Sequence, residues 1–539
     1  MNNLIFYLTL AFFIFFIVKN IFFWTYLWQL KEYRLDRLLV HLRSTQQGRS
    51  LIFGWFSIAK LVAVLFFFAS IFSPNIYSIF PYIVFLIYLG SFLKVLNETR
   101  TKKLKLPVPT LKSSAIFALT AVITIGLVGI PLLDKFLWLI VIEKISTLLI
   151  VLWVGLLWLP SDFYKDIVIN RAIKRLSNSK KLLTIGITGS YGKGSTKNYL
   201  STILSYKFNV LETYGNYNTP IGIAKTVLKG ITDKKNIFIA EMGAYKKGEI
   251  SEMSSMVKPK IGILTGINDQ HISLFGNQEN IIEAKYELID SLPKDGLGLF
   301  NGNSKYCLDL YKKTKKKKIL YYVDYDNKRN VAADITADNI KADKLFTSFS
   351  VKTENKKLGN FTLKLIGKHS IENVLPGIYL ASYLGMETQA IKKSISKISP
   401  TKKTVYPYVN VKKTILIDDT YNANPKAVEA VLEYMKLYKG KKVLILQPMI
   451  ELGKNSNKDH YEIAKKIAEV CNYLFLTNDN YVEAVKKGIK ESGGNCKVIL
   501  DIPNKTASFI QENLGRNDVV VFEGKEAGIP LSLISHEEV

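Results

Sequence analysis

The pattern of apolar and polar positions divides the chain near residue 160. Before that point, five apolar runs lie at Asn3–Phe23, Leu51–Phe72, Ile76–Leu96, Ser114–Leu133 and Phe136–Leu159. Each run is near the ~20 residues that a helix needs to cross the hydrocarbon core of a bilayer. The first run is too long for a cleaved signal peptide and has no basic start. The pattern predicts an α-helical transmembrane domain of five helices at residues 1–160.

Basic residues in the connecting loops predict the orientation of these helices. They gather between the first and second runs, between the third and fourth, and after the fifth, whereas the other two connections are nearly uncharged. The positive-inside rule therefore predicts an N-terminus outside the cell and a cytoplasmic C-terminal body. The basic residues are Lys31, Arg34, Arg37, Arg43, Arg49, Arg100, Lys102, Lys103, Lys105, Lys112, Lys165, Arg171, Lys174 and Arg175.

Two charged residues, Glu143 and Lys144, lie near the middle of the fifth run. Ionisable groups inside a membrane are costly and often mark a function, such as holding a lipid head group. The alternatives are a neutralising pair between helices, or a span that begins after these residues.

After a linker at 161–181, the pattern changes to short β-branched runs separated by helical segments, which is typical of parallel sheets flanked by helices. We expect a nucleotide-binding α/β domain at 182–400, with strands such as Asn236–Ala240 and Ile261–Leu264. A second doubly wound domain is expected at 401–539. Its predicted strands are Thr414–Asp418, Lys442–Leu446, Tyr473–Leu476, Lys497–Leu500 and Asp518–Phe522, and its predicted helices include Ala427–Tyr438 and Tyr461–Val470.

The net charge of +28 changes this picture little. The lysines are spread along the chain rather than gathered on one segment, which argues against a nucleic-acid partner. The run Lys312–Lys318 is interpreted as a solvated loop or a helix end. The cysteines, Cys307, Cys471 and Cys496, have neither paired nor metal-ligand spacing, as is typical of reduced thiols in a cytoplasmic body.

Candidate chemistry begins at Leu182–Leu200, LLTIGITGSYGKGSTKNYL, which predicts a strand, a glycine-rich turn and the start of a helix. Gly189 and Gly192 would let backbone N–H groups approach a phosphate, and Lys193 would add a positive charge at the helix start. The spacing departs from the standard phosphate-loop pattern. A glycine-rich turn that merely connects strand to helix is the alternative.

Further polar residues follow predicted strands, where ligands bind in open α/β sheets. Glu241 ends one strand and would offer a carboxylate to Mg²⁺, which prefers oxygen ligands. His271 follows the next strand, and Lys285 lies fourteen residues further on. A lone histidine is usually structural and a lone lysine usually exposed, so neither is informative alone.

Together, seven ordered strings identify a resemblance: TGSYGKGSTK, GNYNTPIG, EMGAYKKGEI, TGINDQHISLFG, GKHSIENV, DDTYNANP and ELG. They resemble the Mur ligase family of ATP-dependent enzymes that form amide bonds. Within that family, EMGA…GEI and DDTYNANP are most similar to the branch that adds D-alanyl-D-alanine to a muramoyl tripeptide. The resemblance covers about 340 residues and both expected soluble domains.

The resemblance implies roles for individual residues. Lys193, Glu241, His271 and Lys285 would be catalytic, and Ser195, Glu241, His271 and carbamylated Lys285 would bind Mg²⁺. The residues implied to bind ATP are Gly189, Ser190, Gly192, Lys193, Gly194, Ser195, Thr196, Asn301, His369, Asn373 and Asp419. Those implied to line the substrate cleft are Asn216, Asn218, Thr219, Tyr421, Asn422 and Asn424.

The chain also departs from the family pattern. Soluble members begin with a small domain that holds the UDP of the substrate, and here five apolar runs occupy that place. This favours a small-molecule or lipid-linked peptide acceptor used by an enzyme integral to the cell membrane. Where the family carries an interdomain arginine, Lys402 and Lys403 are candidates to replace it, without its bidentate fork. Near the C-terminus, FEGKEAGIP stands where a K-G-S-R type string is expected.

The sequence thus favours a membrane-anchored, Mg-ATP-dependent ligase of peptidoglycan synthesis that works through an acyl phosphate. Two other functions stay open. One is a poly-γ-glutamate-type synthetase, and the other is a phosphate-loop ATPase that drives the membrane half as a transporter. A scaffold that binds nucleotide without turnover is a further alternative.

Overall fold

The computed structural model describes residues 2–538 except 45, 72–76, 102–103, 131, 269–271, 328–331, 355, 366, 401, 422 and 450–454. His271, Asn422 and the ELG string at 451–453 therefore lie outside the described residues. The chain forms two compact units, one ending at Asp166 and one beginning at Ile167.

The N-terminal unit is helical. Among the described residues, five helical stretches are long and apolar enough to cross a membrane: Asn3–Leu30, Gly48–Ser70, Phe80–Arg100, Leu111–Val128 and Lys135–Asn178. They confirm the five long apolar helices predicted from the sequence. The helices are α1 (Asn2–Leu30), α2 (Leu35–Ser44), α3 (Gln46–Phe53), α4 (Trp55–Ser70), α5 (Phe80–Arg100), α6 (Leu111–Val128), α7 (Lys135–Leu156) and α8 (Trp158–Asn178).

Polar caps decide where α6 and α7 begin. Thr110 accepts a hydrogen bond from the Ser113 backbone N–H at 3.2 Å, and the Ser113 hydroxyl accepts one from the Thr110 N–H at 2.9 Å. Asp134 accepts from the N–H groups of the second and third residues that follow it. Such caps satisfy N–H groups that have no partner inside the helix. Consequently, α6 begins at Leu111, before the predicted start at Ser114, and α7 begins at Lys135, next to the predicted start at Phe136.

An ion pair lies inside this helical unit. Lys60 Nζ of α4 is 2.6 Å from Glu143 Oε2 of α7, and both side chains are buried. The hydroxyl of Tyr88, on α5, donates to the same oxygen at 3.1 Å. The ammonium also lies 4.1 Å from the ring centroid of Phe16, on α1. Glu143 therefore takes part in a neutralising pair between helices, whereas Lys144 is exposed.

The second unit begins with a nine-stranded sheet in the order β2-β3-β1-β4-β5-β6-β7-β8-β9. In this spatial order, neighbouring strands from β2 through β7 pair in parallel. The pairs β7–β8 and β8–β9 are antiparallel. The elements are β1 (Leu183–Thr188), α9 (Lys193–Leu204), β2 (Val210–Glu212), α10 (Pro220–Gly230), β3 (Ile237–Glu241), α11 (Glu249–Val257), β4 (Ile261–Leu264), α12 (Ile272–Phe275), α13 (Gln278–Asp290), β5 (Leu297–Asn301), α14 (Lys305–Lys313), β6 (Lys317–Val323), β7 (Ile335–Ala342), β8 (Thr347–Thr353), β9 (Lys357–Leu363), α15 (Ser370–Tyr383) and α16 (Thr388–Ile395).

Alternate residues of the parallel strands enter two different cores, as the two-residue period of a strand requires. In β3, Ile237 and Ile239 pack with α9, α15 and α16, whereas Phe238 and Ala240 pack with α10, α11 and α13. Both faces of the sheet are therefore covered by helices. This arrangement leaves the carboxyl ends of β1, β3 and β4 to carry the polar loops of the site.

The second sheet has seven strands in the order β14-β13-β12-β15-β11-β10-β16. Strand β10 is antiparallel to both of its neighbours, and the other pairs are parallel. Its elements are β10 (Tyr406–Asn410), β11 (Ile415–Asp419), α17 (Pro425–Met435), β12 (Lys442–Leu446), α18 (Ser456–Val470), β13 (Tyr473–Leu476), α19 (Val482–Glu491), β14 (Lys497–Leu500), α20 (Pro503–Asn513), β15 (Val519–Glu523), α21 (Gly528–Leu531) and β16 (His536–Glu538).

The structure adds detail that the sequence pattern missed. Strands β12, β13 and β14 have the predicted bounds, but β7–β9, β10 and β16 add antiparallel pairing to the predicted parallel sheets. The lysine run at 312–318 begins at the end of α14, as interpreted, but its last two residues begin β6. Within the run, Lys316 Nζ donates to the carbonyl of Leu292 at 2.7 Å, near the end of α13.

Candidate active site

The glycine-rich turn connects the end of β1 to the start of α9. Gly192 precedes the helix with φ +77°, and a Cβ atom there would lie 2.4 Å from Asn373 Oδ1. Only glycine meets both conditions without strain. The Ser190 N–H donates to the Gly266 carbonyl at 2.7 Å, which ties the turn to the segment after β4. The N–H groups and the positive dipole end of the α9 N-terminus meet at this turn, an arrangement that favours an anion.

Lys193 is the first residue of α9 and lies within this turn. Its Nζ donates to the Gly189 carbonyl at 2.7 Å and to the Ser190 carbonyl at 3.3 Å. Burial lowers the pKa of Lys193, and the neighbouring Glu241 carboxylate opposes that shift. Lys193, the cation predicted from the sequence, therefore lies at the glycine-rich turn.

Glu241 places a carboxylate beside the same helix. It ends β3, next to Ile187 of β1, and its side chain is buried. Oε1 accepts from Asn218 Nδ2 at 3.2 Å, and Oε2 lies 3.3 Å from Lys197 Nζ. Oε2 also faces Gly194, in the first turn of α9. Among the described residues, this buried oxygen accepts no hydrogen bond within normal geometry.

A metal site can be examined only on part of the predicted ligand set, because His271 lies outside the described residues. Within the described ranges, no group of three His, Cys, Asp or Glu side chains could hold a metal ion. The donors that are described nevertheless fit Mg²⁺. Glu241 Oε2 is a hard oxygen with unused acceptor capacity, and Ser195 adds a hydroxyl on the first turn of α9.

Lys285 lies in the same region. It belongs to α13, is buried, and its Nζ is 3.4 Å from the Ala244 carbonyl just after β3. Burial, together with the charge of Lys193, lowers its pKa to about 7, against the opposing effect of Glu249 and Glu287. About half of the amine is therefore neutral at pH 7.

Asn301, His369 and Asn373, three of the residues implied to bind ATP, have different surroundings. Asn373 contacts the turn directly, with its Oδ1 3.3 Å from the Thr196 hydroxyl. Asn301 Nδ2 instead donates to the Thr265 carbonyl at 2.7 Å and to Glu372 at 2.8 Å, which fixes the segment after β4. His369 lies at the start of α15, and burial lowers its pKa to about 4, so the ring is neutral at cellular pH.

The predicted substrate residues that precede α10 differ in what their side chains contact. Asn218 holds Glu241, as described above, and Thr219 caps α10 by accepting from the Gly222 N–H at 3.4 Å. Asn216 is exposed. These contacts place the loop before α10 beside the Glu241 carboxylate.

The second domain contributes the loop after β11. Tyr421 is nearly half exposed, and its pKa is raised by burial and by the charges of Glu241 and Tyr245. Tyr421 therefore lies within electrostatic range of Glu241. Asn424 caps α17 by accepting from the Ala427 N–H at 3.1 Å, so its side chain stabilises the helix start.

Asp419 forms part of a buried acid pair inside the second domain. It lies beside Glu523 across the β11–β15 register and accepts from the Val405 N–H at 3.3 Å. Burial raises the pKa of Asp419 to about 6 and that of Glu523 well above its usual value. Glu523 is the first of the two acidic residues in the FEGKEAGIP string, which the sequence marked as a departure without identifying the pair with Asp419.

Sequence reasoning missed several residues of the site. Lys197 follows Lys193 by one helical turn and could have been placed on the same face of α9. Tyr191, inside the turn, packs its ring where a Cβ of Gly266 would lie, and its backbone carbonyl accepts from the Thr265 hydroxyl. Glu372 joins Asn301 to Tyr325, whose hydroxyl donates to it at 2.5 Å. The last two contacts depend on tertiary packing that spacing alone does not reveal.

Comparison with known proteins gives consistent results. Residues 187–381 match the family described as Mur ligase middle domain, and residues 408–526 match the Mur ligase glutamate ligase domain. A UDP-N-acetylmuramoyl-tripeptide--D-alanyl-D-alanine ligase of Haemophilus influenzae is 27% identical over 372 residues, covering 68% of this chain and 79% of that protein. The Bacillus subtilis enzyme of the same name is 28% identical over 347 residues, covering 63% and 72%.

Solved structures show the same fold. MurF from Acinetobacter baumannii superposes with a TM-score of 0.61 at 22% identity, covering 68% of this chain and 80% of that one. MurF ligase from Thermotoga maritima, in complex with ADP, gives a TM-score of 0.60 at 22% identity, covering 68% and 82%.

Proposed function

Because this chain belongs to the Mur ligase family, we propose that it is an ATP-dependent ligase of the D-alanyl-D-alanine-adding type in peptidoglycan precursor synthesis. The observation that carries this proposal is that Lys193 and Glu241 meet at the start of α9, with Lys285 against the loop that follows Glu241. A phosphate-binding turn, a carboxylate and a partly neutral buried lysine together suit phosphoryl transfer rather than simple nucleotide binding.

The proposed reaction has two steps. An oxygen of the acceptor carboxylate bonds to the γ-phosphorus of ATP as the bond to ADP breaks, which gives an acyl phosphate. The amine nitrogen then bonds to the acyl carbon, phosphate leaves, and the amine releases a proton. The chain contributes positioning and charge: the α9 N-terminus and Lys193 hold the phosphates, and Asn218 and Lys197 hold Glu241 in place.

Mg²⁺ and a carbamate group complete this proposal. Mg²⁺ would neutralise phosphate charge as the γ-phosphoryl group is transferred. Glu241 and Ser195 would hold it, with His271 a further candidate. Lys285 suits carbamylation, because only a neutral amine adds CO2 and its lowered pKa keeps about half of it neutral at pH 7.

The N-terminal unit favours a location in the cell membrane. Its five apolar helices and the basic residues of alternate loops support a multi-pass protein whose two α/β domains are cytoplasmic. The muramoyl peptide acceptor is then a lipid-linked molecule or a soluble UDP-linked one. We favour the lipid-linked acceptor, because five helices are more than an anchor requires.

The test is phosphate release by the full chain in detergent. ATP is offered with D-Ala-D-Ala or single amino acids, each with UDP-linked or lipid-linked muramoyl peptide, and Lys193→Ala serves as the inactive control. We expect release that needs both D-Ala-D-Ala and the lipid-linked acceptor. Equal release with the UDP-linked acceptor would reduce the helices to anchors. No stimulation by any pair would overturn the peptidoglycan assignment.

A further inference from the structure

Lys426 lies where the second domain meets the phosphate-binding turn. It is in the first turn of α17, two residues after the Asn424 cap. Its Nζ donates to the Tyr191 hydroxyl at 2.8 Å and lies 4.5 Å from the centroid of that ring. Tyr191 is itself a residue of the turn between Gly189 and Lys193. A cation of the seven-stranded domain thus touches the anion-binding turn of the nine-stranded domain.

The position of Lys426 is unfavourable for α17 itself. The first turn of a helix carries partial positive charge, so an acidic residue stabilises it and a lysine opposes it, by about 0.3–1 kcal/mol. The first turn of α17 contains no acidic residue. The contacts with Tyr191, rather than helix stability, hold the ammonium at this place.

The charge of Lys426 also affects Cys307. Burial raises the pKa of Cys307 to about 12, and Lys426 partly opposes that shift. Cys307 lies on α14, which follows the β5 residue Asn301. The positive charge of Lys426 therefore acts on this side of the glycine-rich turn as well as on Tyr191.

Of the two lysines that the sequence favoured as an interdomain cation, Lys402 forms an ion pair within the second domain. Lys402 Nζ pairs with Glu538 at 2.7 Å, on the last strand of the second sheet. Lys403 has φ +67°, and its carbonyl accepts from the Tyr421 N–H at 3.0 Å. Lys426, in contrast, is a lysine of the second domain whose ammonium contacts a residue of the turn.

We propose that Lys426 is a positioning residue that supplies positive charge from the second domain to the phosphates of the bound nucleotide. Its contact with Tyr191 keeps the ammonium at the edge of the turn. Nucleotide binding and contact between the two domains then favour each other, since each brings the phosphates and Lys426 together. This inference rests on the proposed nucleotide site but not on the identity of the amine or the acceptor.

The experiment measures ADP and AMP binding to the full chain by calorimetry in detergent, without amine or acceptor. Lys426→Met is expected to weaken ADP binding about tenfold, which corresponds to one charge-assisted contact. AMP, which carries less phosphate charge, should lose less than about threefold. Lys426→Arg should stay close to the unchanged protein, because the positive charge is kept.

A matched control lies on the same helix. Lys436 caps the other end of α17, is exposed and pairs with Glu433, so Lys436→Met should leave both affinities unchanged. Equal losses for ADP and AMP in Lys426→Met would show a merely structural role and overturn the inference. So would ADP affinity that is unchanged by the substitution.

The outcomes separate this inference from the proposed function. ADP binding that depends on Lys426, in a protein that no amine stimulates, would keep the inference and remove the ligase assignment. Ligase activity in a protein whose ADP affinity does not change in Lys426→Met would keep the ligase assignment and remove the inference. If the chain bound no ADP, both would fall.

Discussion

Among the residues that the structure describes, two buried lysine–glutamate pairs are present, one in each unit, and they differ in the hydrogen bonds that their carboxylates accept. Glu143 is 2.6 Å from Lys60 and also accepts from Tyr88, so the oxygen that meets the ammonium has two donors. Glu241 is 3.3 Å from Lys197, and among the described residues its Oε2 accepts no hydrogen bond of normal geometry.

The difference teaches how to separate a structural pair from a ligand site. A buried charge needs compensation, and a carboxylate that already has an ammonium and a hydroxyl as donors has less need of a ligand. The Lys60–Glu143 pair joins helices α4 and α7, with Tyr88 of α5. The Lys197–Glu241 pair lies at the end of a strand, beside a helix N-terminus, and Oε2 faces the ammonium without a hydrogen bond of normal geometry among the described residues. We interpret the first as structural and the second as functional.

The largest expected effect comes from breaking the structural pair. Lys60→Met leaves the Glu143 carboxylate buried without its cation, which should lower the free energy of unfolding by about 3–5 kcal/mol. The measurement is thermal unfolding of the full chain in detergent. The double variant Lys60→Met with Glu143→Leu should recover most of the loss, since it leaves no buried charge.

The exposed neighbour Lys144 supplies the control, and Lys144→Met should leave the unfolding midpoint in place. A Lys60→Met protein of normal stability that had lost activity would contradict the structural interpretation of this pair.

A smaller effect is expected at the Lys197–Glu241 pair, where the activation free energy, and hence kcat, should change. Glu241→Gln keeps the shape but removes the negative charge, and should lower kcat about 100- to 1000-fold, as loss of one electrostatic contact in an active site does. It should also raise the Mg²⁺ concentration needed for tight ADP binding. Glu143→Gln, the same change at the other pair, should leave kcat of the folded protein within about twofold. Similar kcat losses in both variants would end the distinction.

The smallest effect tests a third buried pair, which consists of two acids. The raised pKa values of Asp419 and Glu523 mean that the folded state binds more protons than the unfolded state. Their contribution to stability is therefore present at low pH and is lost as pH rises from about 4 through 6 and beyond. Glu523→Gln should reduce this loss by about 1–2 kcal/mol between pH 5 and pH 8. Thermal unfolding at both pH values measures it, with Glu512→Gln, at an exposed position, as the control.

Sequence patterns predicted the parts of this molecule that are set by local periodicity. The apolar helices follow from length and charge, and the parallel strands β12, β13 and β14 follow from short β-branched runs. The antiparallel strands β7–β9 were not predicted, because their polar, exposed edges resemble loops. Glycine spacing identified the turn before α9. Spacing could not reveal that Lys60 is the partner of Glu143, 83 residues away, or that Asn301 is occupied by Glu372.

The two helix caps at Thr219 and Asn424 affect how a genetic screen of this protein should be interpreted. Both residues belong to motif strings, so inactivating alleles at either would be counted as lesions in substrate recognition. Their side chains instead accept hydrogen bonds from the N–H groups of Gly222 and Ala427. Serine or aspartate alleles, which also cap helices, should complement at both positions where alanine does not. Codon-level scanning of these two sites would therefore separate helix geometry from substrate contact without any purified substrate.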